Sequence, residues 1–180
     1  MRQLETIRNI GKSVRGLRLL PFYLFTFLLF TAACTSIDCP VQNVVATVYK
    51  LQKGDGTADT LVDTLTILTR RSNGTDTTLL NRSVNTTSFL LPVSYNNPED
   101  TLVFALIDTT TKATYRDTLY IKKDNQPHFE SVDCNIAFFH TITGTRLSSH
   151  NVIDSVSINK TAVNYDLSTE HFHIYFRPRH

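Results

Sequence analysis

An apolar stretch near the start of the chain, from Leu19 to Cys34, limits which residues can belong to a folded domain. Five basic residues and a single acidic one, Glu5, precede it. A basic leader, a short apolar segment and small residues at its end are typical of a secretory signal. The run from Leu19 to Ala33 has 15 residues, whereas a membrane-spanning helix needs about 20, and Pro21 interrupts this one. Residues 1–33 are therefore predicted to be a leader that is removed.

The end of this segment, TAAC at residues 31–34, resembles the bacterial lipoprotein signal, in which a lipid-modified cysteine becomes the first residue. It departs from that pattern at Thr31, where an aliphatic residue is usual. The resemblance implies that Cys34 carries a diacylglyceryl group and that residues 34–40 form a lipidated tether. Two acyl chains would hold the protein on a bilayer, so a membrane is its first expected partner. An uncleaved anchor and an ordinary signal peptide are the alternatives.

The charge of the expected mature chain does not favour nucleic acid as a partner. The whole sequence carries a formal charge of +2, but much of its basic excess lies in the leader. Without the leader, 13 basic and 15 acidic residues remain, a formal charge of −2. Because neither a net positive charge nor a basic patch with interleaved aromatic residues is present, a nucleic-acid-binding protein is not expected.

Two cysteines, Cys39 and Cys134, remain once Cys34 is assigned to lipid. An even pair in an oxidising compartment favours a disulfide. The disulfide would close a loop of about 95 residues. In the chain-entropy model, closing a loop of that length stabilises the fold by roughly 4–5 kcal/mol. Two free thiols are the alternative, and the surrounding residues do not predict a metal site.

Threonine makes up 23 of the 147 residues from Cys34 onward, and β-branched side chains favour strands over helices. About nine short apolar-alternating segments are separated by turn residues. This pattern predicts an all-β domain over residues 41–180, an antiparallel two-sheet sandwich of immunoglobulin-like layout, with an up-and-down barrel as the competing closure. The expected strands are 41–51, 61–70, 77–84, 88–94, 101–108, 113–123, 129–143, 152–158 and 170–177.

Several of these segments carry more specific signals. Asn73-Gly74 predicts a hairpin turn. Pro92 marks an edge strand or a bulge, because proline cannot donate to a sheet. The segment 101–108 is apolar on both faces and is expected to be a central strand. Residues 124–127 are expected to form a loop, and residues 144–151 an exposed polar segment.

Asp followed by a hydroxyl residue and then an aliphatic residue or threonine recurs along the chain. This resembles the O-glycosylation motif of exported Bacteroidetes proteins. The alternative is structural, because Asp commonly ends turns and Thr commonly begins strands. The candidate acceptors are Thr60, Thr64, Thr77, Thr101, Thr109, Thr118 and Ser155.

No catalytic or metal-binding pattern stands out in the sequence. Residues 55–63 contain three aspartates but do not match calcium-loop spacing, so a polar turn is expected. His171 and His173 flank Phe172 and are expected on an exposed strand face, without a third ligand. A serine-hydrolase motif is absent from the sequence, and no acidic pair is distinguished. The expectation is therefore a non-enzymatic protein with no cofactor and no metal.

The segment Cys34–Pro40, CTSIDCP, resembles the mature start of an uncharacterised family of Bacteroidales lipoproteins, a domain of unknown function. Further likeness lies in residues 48–51, 80–82, 85–89, 151–155, 164–166 and 174–176. The resemblance implies an outer-membrane lipoprotein of the cell envelope and carries no active site. Only Asp38 follows the cysteine closely, which slightly favours the periplasmic face over the cell surface.

These observations predict a lipid-anchored envelope protein that acts as a binding or scaffolding module, with another envelope protein as its partner. A structural or adhesive, fimbria-type subunit is one alternative, in which residues 172–176 would join a neighbouring sheet. A glycan-binding accessory lipoprotein is another, with Tyr95, Tyr115 and Tyr165 as candidate sugar contacts.

Overall fold

A computed structural model describes residues 44–71, 73–132 and 134–178 of the chain. Over these ranges the backbone forms ten β-strands, and none of it is a helix of the length and apolarity needed to cross a membrane. The leader, Cys34 and Cys39 lie outside the described residues. The strands are β1 (Ala46–Leu51), β2 (Thr64–Arg70), β3 (Asp76–Ser83), β4 (Ser88–Pro92), β5 (Glu99–Ile107), β6 (Thr114–His128), β7 (Ala137–Leu147), β8 (Ile153–Ile158), β9 (Ala162–Val163) and β10 (Phe172–Phe176).

The strands form two sheets that pack face to face as a sandwich. The smaller sheet has the order β4-β1-β10-β8, and the larger has the order β3-β2-β5-β6-β7-β9. In β2, β4, β6 and β10, buried side chains alternate with more exposed ones. In β10, for example, Phe172, Ile174 and Phe176 point inward. The prediction of an all-β two-sheet sandwich is confirmed.

The centre of the core is a stack of three aromatic rings from the smaller sheet. The ring of Tyr49 stacks between those of Phe89 and Phe172, with centroid distances of 4.9 Å on each side. Phe104 of the larger sheet closes over this stack, 6.2 Å from Phe89. Burial raises the pKa of Tyr49, whose hydroxyl accepts a hydrogen bond from Thr47 Oγ1 at 3.1 Å. Because these side chains come from both sheets, the core depends on the two layers remaining packed.

The first and last strands pair with each other in parallel. Tyr49 lies opposite Phe172 and Leu51 opposite Ile174. The expectation of purely antiparallel sheets is wrong at this one pairing. It arises because β10 inserts between β1 and β8, so that the smaller sheet is closed by strands from both ends of the domain. β10 is thereby paired on both sides.

Three local predictions agree with the structure. Asn73-Gly74 turns β2 into β3, and Gly74 has a φ of 81°, which favours glycine. Pro92 lies in β4, an edge strand, where a missing backbone donor costs little. β5, which covers most of residues 101–108, is an interior strand of the six-stranded sheet.

The hairpin formed by β6 and β7 differs most from prediction. Residues 124–127, expected to be a loop, continue β6 to His128, and β7 extends to Leu147 within the expected polar segment. Glu99, the first residue of β5, pairs with Lys122, so β6 beyond Lys122 is paired only with β7. Pro127 is tolerated there because the other side of the strand needs no donor. The hairpin therefore projects past β5, and among the described strands only the short β9 pairs with this part of it, along β7.

Candidate functional site

A groove of about 740 Å³ opens at one end of the sandwich. Its walls are residues 52–54 after β1, residues 59–63 before β2, the start of β8, and residues 175–178 at the end of β10. We call this the groove end. The opposite end, at which residues 44–45 lead into β1, is called the entry end. The volume lies within the range of roughly 300–1,000 Å³ that is usual for small-molecule sites.

The groove combines apolar surface with charges of both signs. Leu61 and Phe176 contribute side chains that are 9% exposed, and Val62 is 56% exposed. Arg177 Nε lies 3.8 Å from Asp154 Oδ1, and both residues are exposed. A ligand with an apolar body and a few polar groups would match this surface better than a strongly charged one.

Asp117, on the larger sheet, fixes the position of β8, which forms one wall of the groove. This buried carboxylate on β6 accepts hydrogen bonds from Ser149 Oγ and from the backbone N–H groups of Asn151, Val152 and Ile153. Burial alone would raise the pKa of Asp117, but these hydrogen bonds outweigh it and leave the pKa below its usual value. The start of β8 is therefore positioned by one ionised side chain on the other sheet.

The remaining walls are held by side-chain contacts of the same kind. Asp63, which is buried, accepts hydrogen bonds from Thr109 N at 3.0 Å and Thr109 Oγ1 at 3.1 Å. Tyr175 donates its hydroxyl to Gln52 Oε1 at 3.2 Å across β1 and β10. The groove is thus a preformed feature of the fold.

A second polar cluster lies at the entry end around Lys123. The side chain of Lys123 is 1% exposed, and its Nζ donates to the carbonyls of Ser94 and Asn97 and to Asn125 Oδ1. Asp100 Oδ1 lies 3.7 Å away. Burial lowers the pKa of Lys123 and raises that of Asp100. This cluster fastens the loop before β5 to the projecting hairpin.

His140 completes that cluster as a neutral group. Its Nδ1 lies 2.7 Å from Asn125 Oδ1, which can only accept, so Nδ1 carries the proton. Burial, with the nearby charge of Lys123, lowers the pKa of His140 to about 4. His140 is only 4% exposed on β7 and so belongs to the interior of this cluster.

His171 is likewise buried and not on an exposed strand face as expected. Its Nδ1 accepts the Val48 N–H at 3.1 Å, and its Nε2 lies 3.2 Å from the Ala162 carbonyl and donates to it. The ring therefore bridges β1 and β9 in one tautomer, and burial lowers its pKa. His173, the second residue of β10, directly follows Phe172 and is half-buried. No group of three His, Cys, Asp or Glu side chains suited to a metal occurs among the described residues.

Aromatic side chains flank the projecting hairpin on both faces. On one side the rings of Tyr95 and Phe138 stack at 5.3 Å. On the other, Phe139 stacks on His128 at 4.1 Å and meets Tyr165 edge-on at 4.9 Å. Tyr95 and Tyr165 thus lie on opposite faces, and Tyr115 lies in the other half of β6. The three tyrosines considered for sugar binding do not form one platform.

The predicted modification sites are placed as follows. Cys34 and Cys39 lie outside the described residues, and Cys134 is half-buried in the connection between β6 and β7. Among the candidate glycan acceptors, Thr60 and Ser155 are exposed, and both line the groove. The others are half-buried: Thr64, Thr77, Thr101, Thr109 and Thr118. Sequence reasoning did not anticipate the groove, because its walls come from two parts of the chain more than 90 residues apart.

The protein is an all-β sandwich with a groove at one end. Its four-stranded sheet is mixed and its six-stranded sheet is antiparallel. Residues 64–176 match the model of a family of unknown function, DUF6452, and the chain belongs to that family. No curated protein and no solved structure was found to match the chain. The expectation of an uncharacterised domain is confirmed.

Proposed function

We propose that this protein is a non-enzymatic, lipid-anchored binding module of the cell envelope and that its ligand occupies the groove. The observation that carries the proposal is the position of the groove at the opposite end of β1 from the entry end. A chain tethered before β1 would present such a groove away from the membrane. Strands rise about 3.3 Å per residue, so the six residues of β1 separate the two ends by roughly 20 Å.

The anchor is the acylated thiol of Cys34, exposed when residues 1–33 are removed. The basic leader and the short apolar segment support this assignment. A disulfide between Cys39 and Cys134 would hold the tether against the hairpin. The location of Cys134 at the entry end supports that pairing. The protein then belongs to the outer membrane of a Bacteroidales envelope, with its periplasmic face favoured.

Binding is favoured over catalysis because the acidic residues of the groove already serve the fold. Asp63 accepts two hydrogen bonds from Thr109, and Asp154 lies 3.8 Å from Arg177. Asp59 Oδ1 accepts the N–H of its neighbour Thr60. Carboxylates engaged in this way shape the wall of the groove.

The alternatives receive less support from the structure. Strand addition by residues 172–176 would require β10 to leave the interior of its sheet, where it pairs with β1 and β8. Sugar stacking would need the tyrosines on one face. Glycosylation of Thr60 or Ser155 would fill the groove, so occupied acceptors there would argue for a structural role.

The proposal is tested by placing a photo-crosslinking side chain in the groove of the native membrane-bound protein. Val62, in the groove, and Leu90, on edge strand β4, are 56% and 52% exposed and form a matched pair. A benzoylphenylalanine at position 62 should capture one defined species that position 90 does not. Adding Thr60→Trp should lower that yield, because the larger side chain fills the groove. The same capture at both positions, or at neither, would refute ligand binding in the groove.

The anchor has a separate test. Replacing Cys34→Ala should move the protein from the membrane fraction to the soluble fraction, since the acyl group would have no site of attachment. Continued membrane association would refute anchoring through that residue.

A further inference from the structure

We propose that the described residues of the connection between β6 and β7, 129–132 and 134–136, rest on the bilayer surface, with Phe129, Val132 and Ile136 inserted among the lipid headgroups. The inference rests on the lipid anchor of the proposed function. It adds a second, protein-borne contact with the membrane and so fixes how the sandwich is oriented.

These three side chains are unusually exposed for their type. Phe129 is 62% exposed, Val132 is 84% exposed and Ile136 is 58% exposed. All three belong to one connection of eight residues, bounded by the His128–Ala137 pair that ends the hairpin. Clustered exposed apolar side chains mark surfaces that contact a partner or a membrane.

The connection lies at the entry end. Ala46, the first residue of β1, pairs with Pro92 of β4, and two residues later the Ser94 carbonyl accepts a hydrogen bond from Lys123. Lys123 lies at the base of the projecting part of the β6–β7 hairpin. Residues 44–45 and the projecting hairpin are therefore at the same end of the domain.

The length of chain before β1 keeps this end close to the anchor. Val44 lies ten positions after Cys34, and an extended chain spans at most about 3.5 Å per position, which gives a limit of roughly 35 Å. A Cys39–Cys134 disulfide would shorten this tether further, because Cys39 lies only five positions after Cys34, a span of at most about 18 Å. The apolar connection would then be held within reach of the headgroups.

The charges beside the apolar side chains favour a neutral lipid surface. Glu130 lies 4.0 Å from His128 Nε2 and forms a hydrogen bond with Tyr165. The sequence places a second acid, Asp133, in the same connection. With two acids and no basic residue among residues 129–136, attraction to anionic lipids is not the driving force. The contact is an apolar insertion into a zwitterionic bilayer, of the kind that buries side chains to about 5–10 Å.

The protein contains no tryptophan, so one introduced indole reports on its own surroundings. The acylated chain carrying Phe129→Trp is reconstituted in phosphatidylcholine vesicles with and without doxyl-labelled acyl chains. Ile136→Trp provides an independent second position, and Val62→Trp, at the groove end, is the matched control. The indoles at positions 129 and 136 should shift to shorter wavelength on vesicle binding and lose emission to the doxyl groups. The control should do neither.

Each result decides the matter. If the protein binds vesicles but the indole at position 129 or 136 is not quenched, the inference is overturned. That result is also expected if a protein partner or the chain before β1 covers this surface. Equal quenching at position 62 also overturns it. If the native chain fails to float with vesicles, the proposed anchor fails. The orientation is then decided with a hexahistidine segment before residue 35, bound to nickel-chelating lipid, and the same three indoles.

Discussion

Replacing Asp117 by asparagine should destabilise the fold strongly, although the substitution changes hardly any volume. The Oδ2 atom of Asp117 accepts the N–H groups of Val152 and Ile153 at 2.6 and 2.8 Å, and Oδ1 accepts Ser149 Oγ and Asn151 N. An amide can replace only one of these oxygens. In the better orientation it keeps its oxygen towards Val152 and Ile153, while its NH₂ group faces the Asn151 N–H.

The magnitude follows from these four bonds. A hydrogen bond to a charged group contributes roughly 1.5–3 kcal/mol, and one between neutral groups about half as much. Asp117→Asn loses the bond from Asn151 and weakens the two from Val152 and Ile153, so it should reduce the free energy of unfolding by roughly 2–4 kcal/mol. Asp117→Ala, which removes all four bonds, should cost more than Asp117→Asn.

The measurement is urea unfolding of residues 35–180 at pH 7, followed by circular dichroism. Asp124→Asn is the matched control, because Asp124 lies on the same strand and is exposed. Its free energy of unfolding should change by less than about 0.5 kcal/mol. If Asp117→Asn falls within that same margin, the carboxylate does not position β8 and the reasoning is refuted.

The pH dependence gives a second check on Asp117. Its pKa is lowered in the folded protein, so its contribution is fully present above the pKa of the unfolded chain, near 3.9. It is lost as the pH falls through the lower folded pKa. The difference in unfolding free energy between the wild type and Asp117→Asn should therefore be constant above about pH 5 and shrink in more acidic solution. A difference that grows on acidification would contradict this assignment.

Three further predictions test other parts of the molecule. Because the pKa of His140 is about 4 in the fold against about 6.5 unfolded, wild-type stability should fall by roughly 3 kcal/mol between pH 6.5 and pH 4, and His140→Gln should flatten that slope in urea titrations. A slope unchanged in the variant would contradict the assignment. Gly74→Ala should lower stability by about 1 kcal/mol because its φ is 81°, whereas Gly54→Ala, with open space around its Cβ and no positive φ, should not; equal thermal midpoints would refute this. Phe172→Ala should cost roughly 3–5 kcal/mol in urea unfolding, and Leu90→Ala, which is 52% exposed, much less; similar losses would show that the aromatic stack is not the core.

Much of the strand pattern could be predicted because it depends on alternation within short segments. β10 shows this well, because it lies within the expected strand 170–177 and its residues Phe172, Ile174 and Phe176 alternate inward. The end of β6 could not be predicted in the same way. Polar residues followed by Pro127 suggest a loop, and only the long-range pairing with β7 makes them a strand.

The buried polar residues were missed, although β6 carried a signal for two of them. Asp117 and Lys123 continue the period-two alternation of Leu119 and Ile121, which places both charges on the inward face. A charge at an inward position predicts a specific partner. The identity of the partners was not accessible, since the groups that donate to Asp117 lie more than 30 residues away in sequence. His171, bonded to Val48 across 123 positions, is a more extreme case.

The position of β1 has a mechanical consequence. This strand runs from the entry end to the groove end and is paired with β4 on one side and β10 on the other. Tension between an anchored N-terminus and a ligand pulled from the groove would act along the strand, so its backbone hydrogen bonds would be loaded in shear, all together. A domain gripped in this way resists extension far better than one whose bonds are opened one after another.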